Sequence, residues 1–598
     1  MASDSVISTG PRPVMPVSPG IAIGPVRVIR PVRSTVFEMH MIGSQQVEAE
    51  QRRLRAALEV AVQELGALSV QVAKTVGQSE AAIFEAQQLM LEDPAIVDEA
   101  LLLIAQQHLS VVAALHEVAE RQARELEALD NEMFAARGAD VRDAISRVLR
   151  HLQQPDQPVE THNTDTVPVL IVAHDLTPSD TASFDAGTIL GICTVVGGPT
   201  THAAILARAM ELPAVAGCDP QLIDALHDGQ QLAIDGTRGL LYLRPDTEQA
   251  QVLHTTMQQQ QQARWQRQTH QARLLHQPGA TADGCPVQIF ANVGNREDAR
   301  RAAELGAEGI GLLRTEFLFN GRQVFPNEQE QFESYVDLFR AFGEHTSAGK
   351  TIIARTLDAG ADKPFPALEA LIGSMQEANP ALGLRGARIH LSHEDLLREQ
   401  LRALLRAAGV TDIDLAIMFP MIATLEEVRC LRATYASVRN ELERTSFVIP
   451  ARTPIGIMVE TPAAAVMATA LAREVDFFSI GANDLFQYTM AVDRTNSRVT
   501  GMFGLLEPAV WRLIALVVQA GVAHDKPVAV CGELAADARI GPLLAGLGVK
   551  ELSMSPPAML KVKSVLSMQP MAYWRRQAQE LLKAETAADV QALLESLA

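Results

Sequence analysis

The chain has 598 residues, of which 47% are hydrophobic and 20% charged, and its net charge is −20. At roughly 100–200 residues per domain, this length implies about three to five domains, which excludes a single small binding module. The composition excludes disorder, and the acidic balance excludes a general nucleic-acid binder while leaving room for a basic protein partner. Five cysteines, at 193, 218, 285, 430 and 531, form no CxxC pair, so no disulfide framework is expected and a reducing cytosol is. The first twenty residues lack a basic n-region and an apolar h-region, and no apolar run reaches the ~18 residues of a membrane span. A soluble cytoplasmic protein without membrane insertion is therefore expected.

From Ser44 to Leu152 the sequence reads as helix. Leu54, Leu58, Ala61, Leu65 and Leu68 recur at three- and four-residue spacing, which marks one buried helical face. Gly77 and Pro94 punctuate the run, predicting a bundle of about five helices. The flanking segments, from Val14 to Arg30 and from Val167 to Leu243, are rich in short Val/Ile runs, glycine and proline, such as VPVLIVAH and QQLAIDG. These are strand signals, so the bundle reads as an insertion into one α/β domain.

Residues 246–277 are polar and glutamine-heavy. A disordered linker is one reading. A long exposed helix docked by Val252, Trp265 and Leu274 and ending at Pro278-Gly279 is the other, favoured because Gln and Arg form helices well. Beyond it, eight apolar runs alternate with helical stretches: VQIFANVG, GIGLLRTEF, TIIARTLD, AIMFPMI, IGIMVETP, FFSIGANDL, PVAVCGEL and ELSMSP. Eight is the number of a closed parallel barrel, with an open doubly wound sheet as the alternative. The predicted fold is thus multidomain α/β. An α/β domain spans 14–43 and 153–245, the inserted bundle 44–152, a linker helix 246–280 and a (β/α)8 barrel 281–598.

Catalytic groups of such a barrel project from the carboxyl ends of its strands. Here those ends carry Arg314, Glu316, Arg355, Asp358, Glu460, Asn483, Asp484 and Cys531. Arg314, Arg355 and Arg494 offer fork-shaped donors that match phosphate and carboxylate. Glu460 and Asp484 offer hard oxygens suited to Mg²⁺. A small phosphoester with a metal satisfies both sets; simple pairing of the arginines with the acids is the competing reading. Cys531 is open to two readings, a buried inert thiol and a proton donor.

The α/β half carries one sharp motif, GGPTTHAAILARAMELPAV, from Gly197 to Val215. Two glycines predict a tight turn, Thr200 or Thr201 a helix cap, and His202 then falls in the first helical turn, where the dipole favours anions. A neutral imidazole there is placed to become a phosphohistidine, with Arg208 six residues on; a structural histidine is the alternative.

Together these motifs resemble the Enzyme I family of the bacterial phosphoenolpyruvate:sugar phosphotransferase system. The resemblance extends to VSPGIAIG, EAAIFEAQQLMLEDP, DLTPSDTA, RTLDAGADK, NPALGLRGARI, MFPMI, GIMVETPAA, DFFSIGANDLFQYTMAVDR, CGELA and ELSMS, from about Pro16 to the C-terminus. It implies that phosphoenolpyruvate binds with Mg²⁺ in the barrel, that the phosphoryl group passes to His202 with release of pyruvate, and that it then passes to a histidine of the carrier HPr. By the same resemblance Arg314, Arg355 and Arg494 hold phosphate and carboxylate, with Arg385 and Lys363 nearby, and Asn483 contacts phosphate. Glu460 and Asp484 hold Mg²⁺, Cys531 protonates the enol carbon, and Thr181 hydrogen-bonds His202. The bundle binds HPr through Ala82, Phe84, Gln87, Met90 and Asp93, and the barrel forms a homodimer. Pro199, Ala482, Phe486 and Gln87 depart from the family pattern. The nitrogen-type paralogue is the competing member. The carbohydrate type is preferred because only about fifteen residues precede VSPGIAIG, too few for a sensory domain of ~100–200 residues.

Overall fold

A computed structural model describes residues 10–29, 40–75, 78–127, 132–153, 167–176, 188–198, 201–210, 212–346, 349–360, 365–373, 377–493, 496, 499, 504 and 506–597. Of these, the side chains at 71–75, 78–82, 127, 132–137, 139, 153, 202, 206, 209, 222–224, 263–268, 371 and 372 fall outside the description. The chain divides into two compact units, Met1–Arg264 and Trp265–Ala598.

In the first unit, five helices form the inserted bundle: α1 (Val47–Thr75), α2 (Gln78–Glu92), α3 (Pro94–Gln106), α4 (Val111–Glu127) and α5 (Glu132–Gln153). The predicted apolar stripe is the α1 core face, with Leu54, Ala61 and Leu65 sealed and Leu58 buried. Asp93 starts α3, its carboxylate accepting the Ala95 N–H, with Pro94 at the first position where no N–H is needed.

The rest of this unit is built on an eight-stranded sheet of β1 (Arg12–Pro13), β2 (Met15–Ser18), β3 (Ile21–Ile29), β4 (Val169–Ala173), β5 (Ile189–Thr194), β6 (Ala214–Ala216), β7 (Gln231–Asp235) and β8 (Leu240–Leu243), in the order β1-β8-β7-β3-β4-β5-β6-β2, with short helices at His202–Ala209 and Pro220–Ala225. Strands β3 to β6 run parallel and the others pair antiparallel. The bundle therefore enters between β3 and β4, as the composition change predicts.

Thr247–Leu274 is one long helix, which decides between helix and disorder. Its docking differs from expectation: Val252 is exposed, and its neighbour Leu253 packs on Ile21 and Ala233 of the sheet. A uniformly polar helix gives no periodic cue to which residue faces inward.

The second unit is the closed parallel barrel. Its strands are β9 (Gln288–Val293), β10 (Gly309–Arg314), β11 (Thr351–Arg355), β12 (Asp414–Phe419), β13 (Ile455–Val459), β14 (Phe477–Gly481), β15 (Val528–Cys531) and β16 (Glu551–Met554), and β16 pairs back onto β9. All eight predicted runs are strands. Inside it, Leu312, Ile353, Met418, Met458 and Cys531 pack together as a floor. Outside it, the alternate strand residues pack on the helix ring, with Phe339, Phe419 and Trp511 fully buried. Such two-sided burial is what makes parallel strands read as continuous apolar runs.

Candidate active site

The barrel mouth holds a cavity of about 550 Å³ at the carboxyl ends of the strands, lined by Arg314, Glu316, Arg355, Glu460, Asn483, Asp484 and Cys531 among others. Parallel register sets Arg314 of β10 beside Arg355 of β11, and Gly481 of β14 beside Cys531 of β15. The two arginines have different fates. Arg355 is buried and bonds Glu316 at 2.9 Å and Asp358 at 3.1 Å. Burial works against its charge, but Glu316, Asp358 and Glu460 outweigh it and hold its pKa above the usual arginine value. Arg314 is exposed at the rim and makes no ion pair with a described residue. Pairing with acids thus accounts for Arg355, while Arg314 presents its guanidinium to the cavity.

Arg385 lies behind this wall. Asp358 accepts from it, and its Nη1 reaches the Tyr488 hydroxyl at 3.2 Å and lies 3.8 Å from the Asp484 carboxylate. Gly386 follows with φ 54°, and a Cβ there would sit 3.0 Å from Met421 and 3.3 Å from the Asp358 carboxylate, so only glycine lets the chain pass. Tyr488 was not among the sequence candidates. Its signal is faint, a tyrosine two turns into the helix Ala482–Met490 that opens with Asn483 and Asp484.

Glu460 is fully buried. Its Oε1 accepts the N–H of Met421, a residue held at φ 56°, and its Oε2 has no hydrogen-bond partner among the described residues. A non-glycine residue in the left-handed region is uncommon, and here it aims an N–H at a carboxylate. Burial, aided by the Asp358 and Asp484 carboxylates, pushes Glu460 up to about 8 against the pull of Arg355 and Arg385. The Asn483 side-chain oxygen is likewise buried and has no hydrogen-bond partner among the described residues. An orphaned carboxylate oxygen beside a second carboxylate is a donor set that fits a hard divalent cation.

Cys531 is buried, and its Sγ faces the Ile480 carbonyl at 3.4 Å. Burial pushes the thiol up to about 11, against the pull of Ser479 and Arg355. It stays protonated at neutral pH and is a weaker acid than an exposed thiol.

In the first unit, Gly197 (φ 124°) turns the chain after β5, and the helix His202–Ala209 starts at the predicted histidine. Thr201 precedes it, and its hydroxyl donates to the Gly198 carbonyl at 2.9 Å; Thr200, the other expected cap, lies outside the described residues. Arg208 sits exposed in the last turn, about 9 Å along the axis from His202. The His202 side chain, Thr181, Lys363 and Arg494 lie outside the described residues, as does the Ala82 side chain on α2.

The expected carrier-binding residues differ in exposure. Phe84 and Gln87 are buried in the bundle; Gln87 donates to Asp143 of α5 at 3.0 Å. Met90 is half-buried against the same core. The α2 face open to solvent carries Glu85, Leu89 and Glu92, with Asp93 beyond its end.

Three family descriptions match the chain in order: the N-terminal domain of PEP-utilising enzymes over 15–137, their mobile domain over 166–239 and their PEP-binding domain over 268–570. The chain is 40% identical to a phosphoenolpyruvate-protein phosphotransferase of Priestia megaterium, with 87% of each chain aligned. It is 41% identical to one of Geobacillus stearothermophilus, again over 87% of each. It is also 40% identical to a multiphosphoryl transfer protein of Xanthomonas campestris pv. campestris, over 96% of this chain and 66% of that one. The chain belongs to the phosphoenolpyruvate–protein phosphotransferase (Enzyme I) family of PEP-utilising enzymes.

Proposed function

We propose that this chain takes the phosphoryl group of phosphoenolpyruvate onto His202, releases pyruvate, and passes the group to a histidine of an HPr-type carrier in the sugar phosphotransferase system. The observation that carries this reading is the mouth cavity, where Arg314, which has no ion pair among the described residues, the paired Arg355, three carboxylates, an amide and a thiol converge. Phosphoryl transfer is mainly positioning and charge stabilisation, and this set supplies both.

Arg314 binds the phosphate or carboxylate of the substrate from the rim, and Arg355, fixed by Glu316 and Asp358, binds it from the wall. Arg385, held by Asp358 and Tyr488, supports that wall, with Lys363 and Arg494 contributing further cationic donors. Asn483 turns its amide to the phosphate. Glu460 and Asp484 would hold Mg²⁺, which would supply positive charge to offset that of the phosphoryl group. The Cys531 thiol, protonated at neutral pH, delivers a proton to the methylene carbon of the enolate, giving pyruvate. In the first unit, Thr181 orients His202 and the bundle receives the carrier. Its docking surface is the open face of α2, with acidic Glu85 and Glu92 around Leu89, suited to a basic partner. The barrel provides the homodimer contact.

The test is a two-step chase on the whole protein. Label from phosphoenolpyruvate, with Mg²⁺ present, should load the chain and leave it when sugar-type HPr is added. Faster discharge to a nitrogen-type carrier than to HPr would assign the chain to the other branch.

A further inference from the structure

Two thiols meet beside the His202 segment. Cys193 lies near the end of β5 and pairs in register with Val215 of β6. The chain leaves β5, turns at Gly197, forms the His202 helix, returns as β6 and reaches Cys218 two residues later. The Cys218 N–H donates to the Thr194 carbonyl at 3.1 Å, which ties the two cysteine backbones side by side. Their sulfurs are 2.8 Å apart. Both side chains are buried, at 1% and 4% exposure, in one core cluster with Val172, Val215 and Leu232.

A disulfide needs sulfurs about 2.05 Å apart, so bonding this pair requires a movement of under about 1 Å. Contact with Cys218 and burial push the Cys193 thiol up, which keeps that thiol protonated at rest. Burial also excludes bulky or charged oxidants. Cys430 is the exposed thiol and has no comparable sulfur neighbour among the described residues.

We propose that Cys193 and Cys218 are a reversible oxidation site, converted by a small hydroperoxide into a disulfide that braces the segment carrying His202. One sulfur, on losing its proton, attacks a peroxide oxygen. The O–O bond breaks, giving a sulfenic acid and one water from hydrogen peroxide. The second thiol then displaces the sulfenic oxygen as water and forms the S–S bond. Two thiols lose two electrons and two protons, and the peroxide gains both. A dithiol reductant reverses the change. The bond spans residues 25 apart in sequence and closes a loop that contains the whole His202 helix. It lowers the freedom of that loop when unfolded while leaving β5 and β6 in place.

The test uses the full-length protein in native buffer with hydrogen peroxide, followed by denaturation, alkylation and unreduced peptide mass mapping. A single cross-linked peptide pair joining Cys193 to Cys218, lighter by two hydrogens and restored by dithiothreitol, is expected. The thermal midpoint of the first unit should rise by about 5 °C on oxidation. Cys218→Ala and, independently, Cys193→Ala should abolish both changes while keeping the reduced protein's circular dichroism. Full alkylation of both thiols after peroxide, sulfinic acid without a cross-link, or a bond through Cys430 instead would overturn the site. A cross-link that leaves the midpoint unmoved would overturn the bracing.

Discussion

The Asp358 carboxylate accepts from the Arg385 guanidinium at 3.0 and 3.1 Å, and both side chains are sealed from solvent behind the barrel mouth. The same carboxylate holds Arg355 at 3.1 Å. One buried acid thus fixes two cations, one of which lines the cavity. Removing one member of such a group strands the others without compensation, at about 3–5 kcal/mol. Asp358→Asn should lower the denaturation midpoint of the barrel unit and abolish labelling from phosphoenolpyruvate. Denaturant unfolding checks the first and a filter assay the second; a variant with wild-type stability would show that the arginines find other partners.

Glu551 begins β16 and lines a second cavity, of about 620 Å³, with Gln288 and Thr351 at the opposite strand ends. Burial pushes its carboxyl up from 4.5 to about 8. The folded chain therefore keeps a proton there that the unfolded chain has lost between those values. Stability from this group is present below pH 4.5 and is lost as pH rises to about 8. Glu551→Gln should stabilise the barrel by up to about 4 kcal/mol at pH 8 and by little at pH 5. Urea midpoints at the two pH values decide it; an equal change at both would reject the raised pKa.

On the bundle, Leu89 is 68% exposed, whereas Phe84 and Gln87 are inside. Leu89→Asp should slow transfer to HPr roughly tenfold, a loss typical of one interface anchor, while bundle stability and labelling from phosphoenolpyruvate stay at wild-type levels. Stopped-time chase experiments measure this. An unchanged transfer rate would move the carrier surface elsewhere.

What the sequence disclosed and what it hid follow from the range of the interactions involved. The barrel was legible because each strand is buried on both faces and reads as an apolar run ended by a polar residue, as Arg314 and Cys531 show. The five-helix bundle was legible from the spacing of Leu54, Ala61 and Leu65. The burial of Gln87 was not legible, because it depends on Asp143, 56 residues away on another helix. Polarity suggests a surface, and only the distant partner reverses that. The Arg385–Asp358 bond and the burial that raises Cys531 are likewise long-range, and no local pattern announces them.

Cys531 leads to a direction-dependent prediction. Phosphoryl transfer does not need its proton, because cations stabilise the enolate. Cys531→Ala should still load His202 in a single turnover, though slowly. The reverse reaction needs a base at the pyruvate methyl group and should suffer more. Deuterium exchange into the pyruvate methyl in D₂O with Mg²⁺ reports this, with a loss of at least ~100-fold expected for a missing acid–base group. Undiminished exchange would send the search to another acid at the mouth.

The central claim is that phosphate from the barrel reaches His202. Its most direct measurement is the stoichiometry and lability of label taken up from phosphoenolpyruvate with Mg²⁺ by the wild-type chain and by His202→Ala. The account predicts one phosphate per wild-type chain, stable in base and lost in acid as for a phosphoramidate, and none on a normally folded His202→Ala. Acid-labile label persisting on His202→Ala would contradict it.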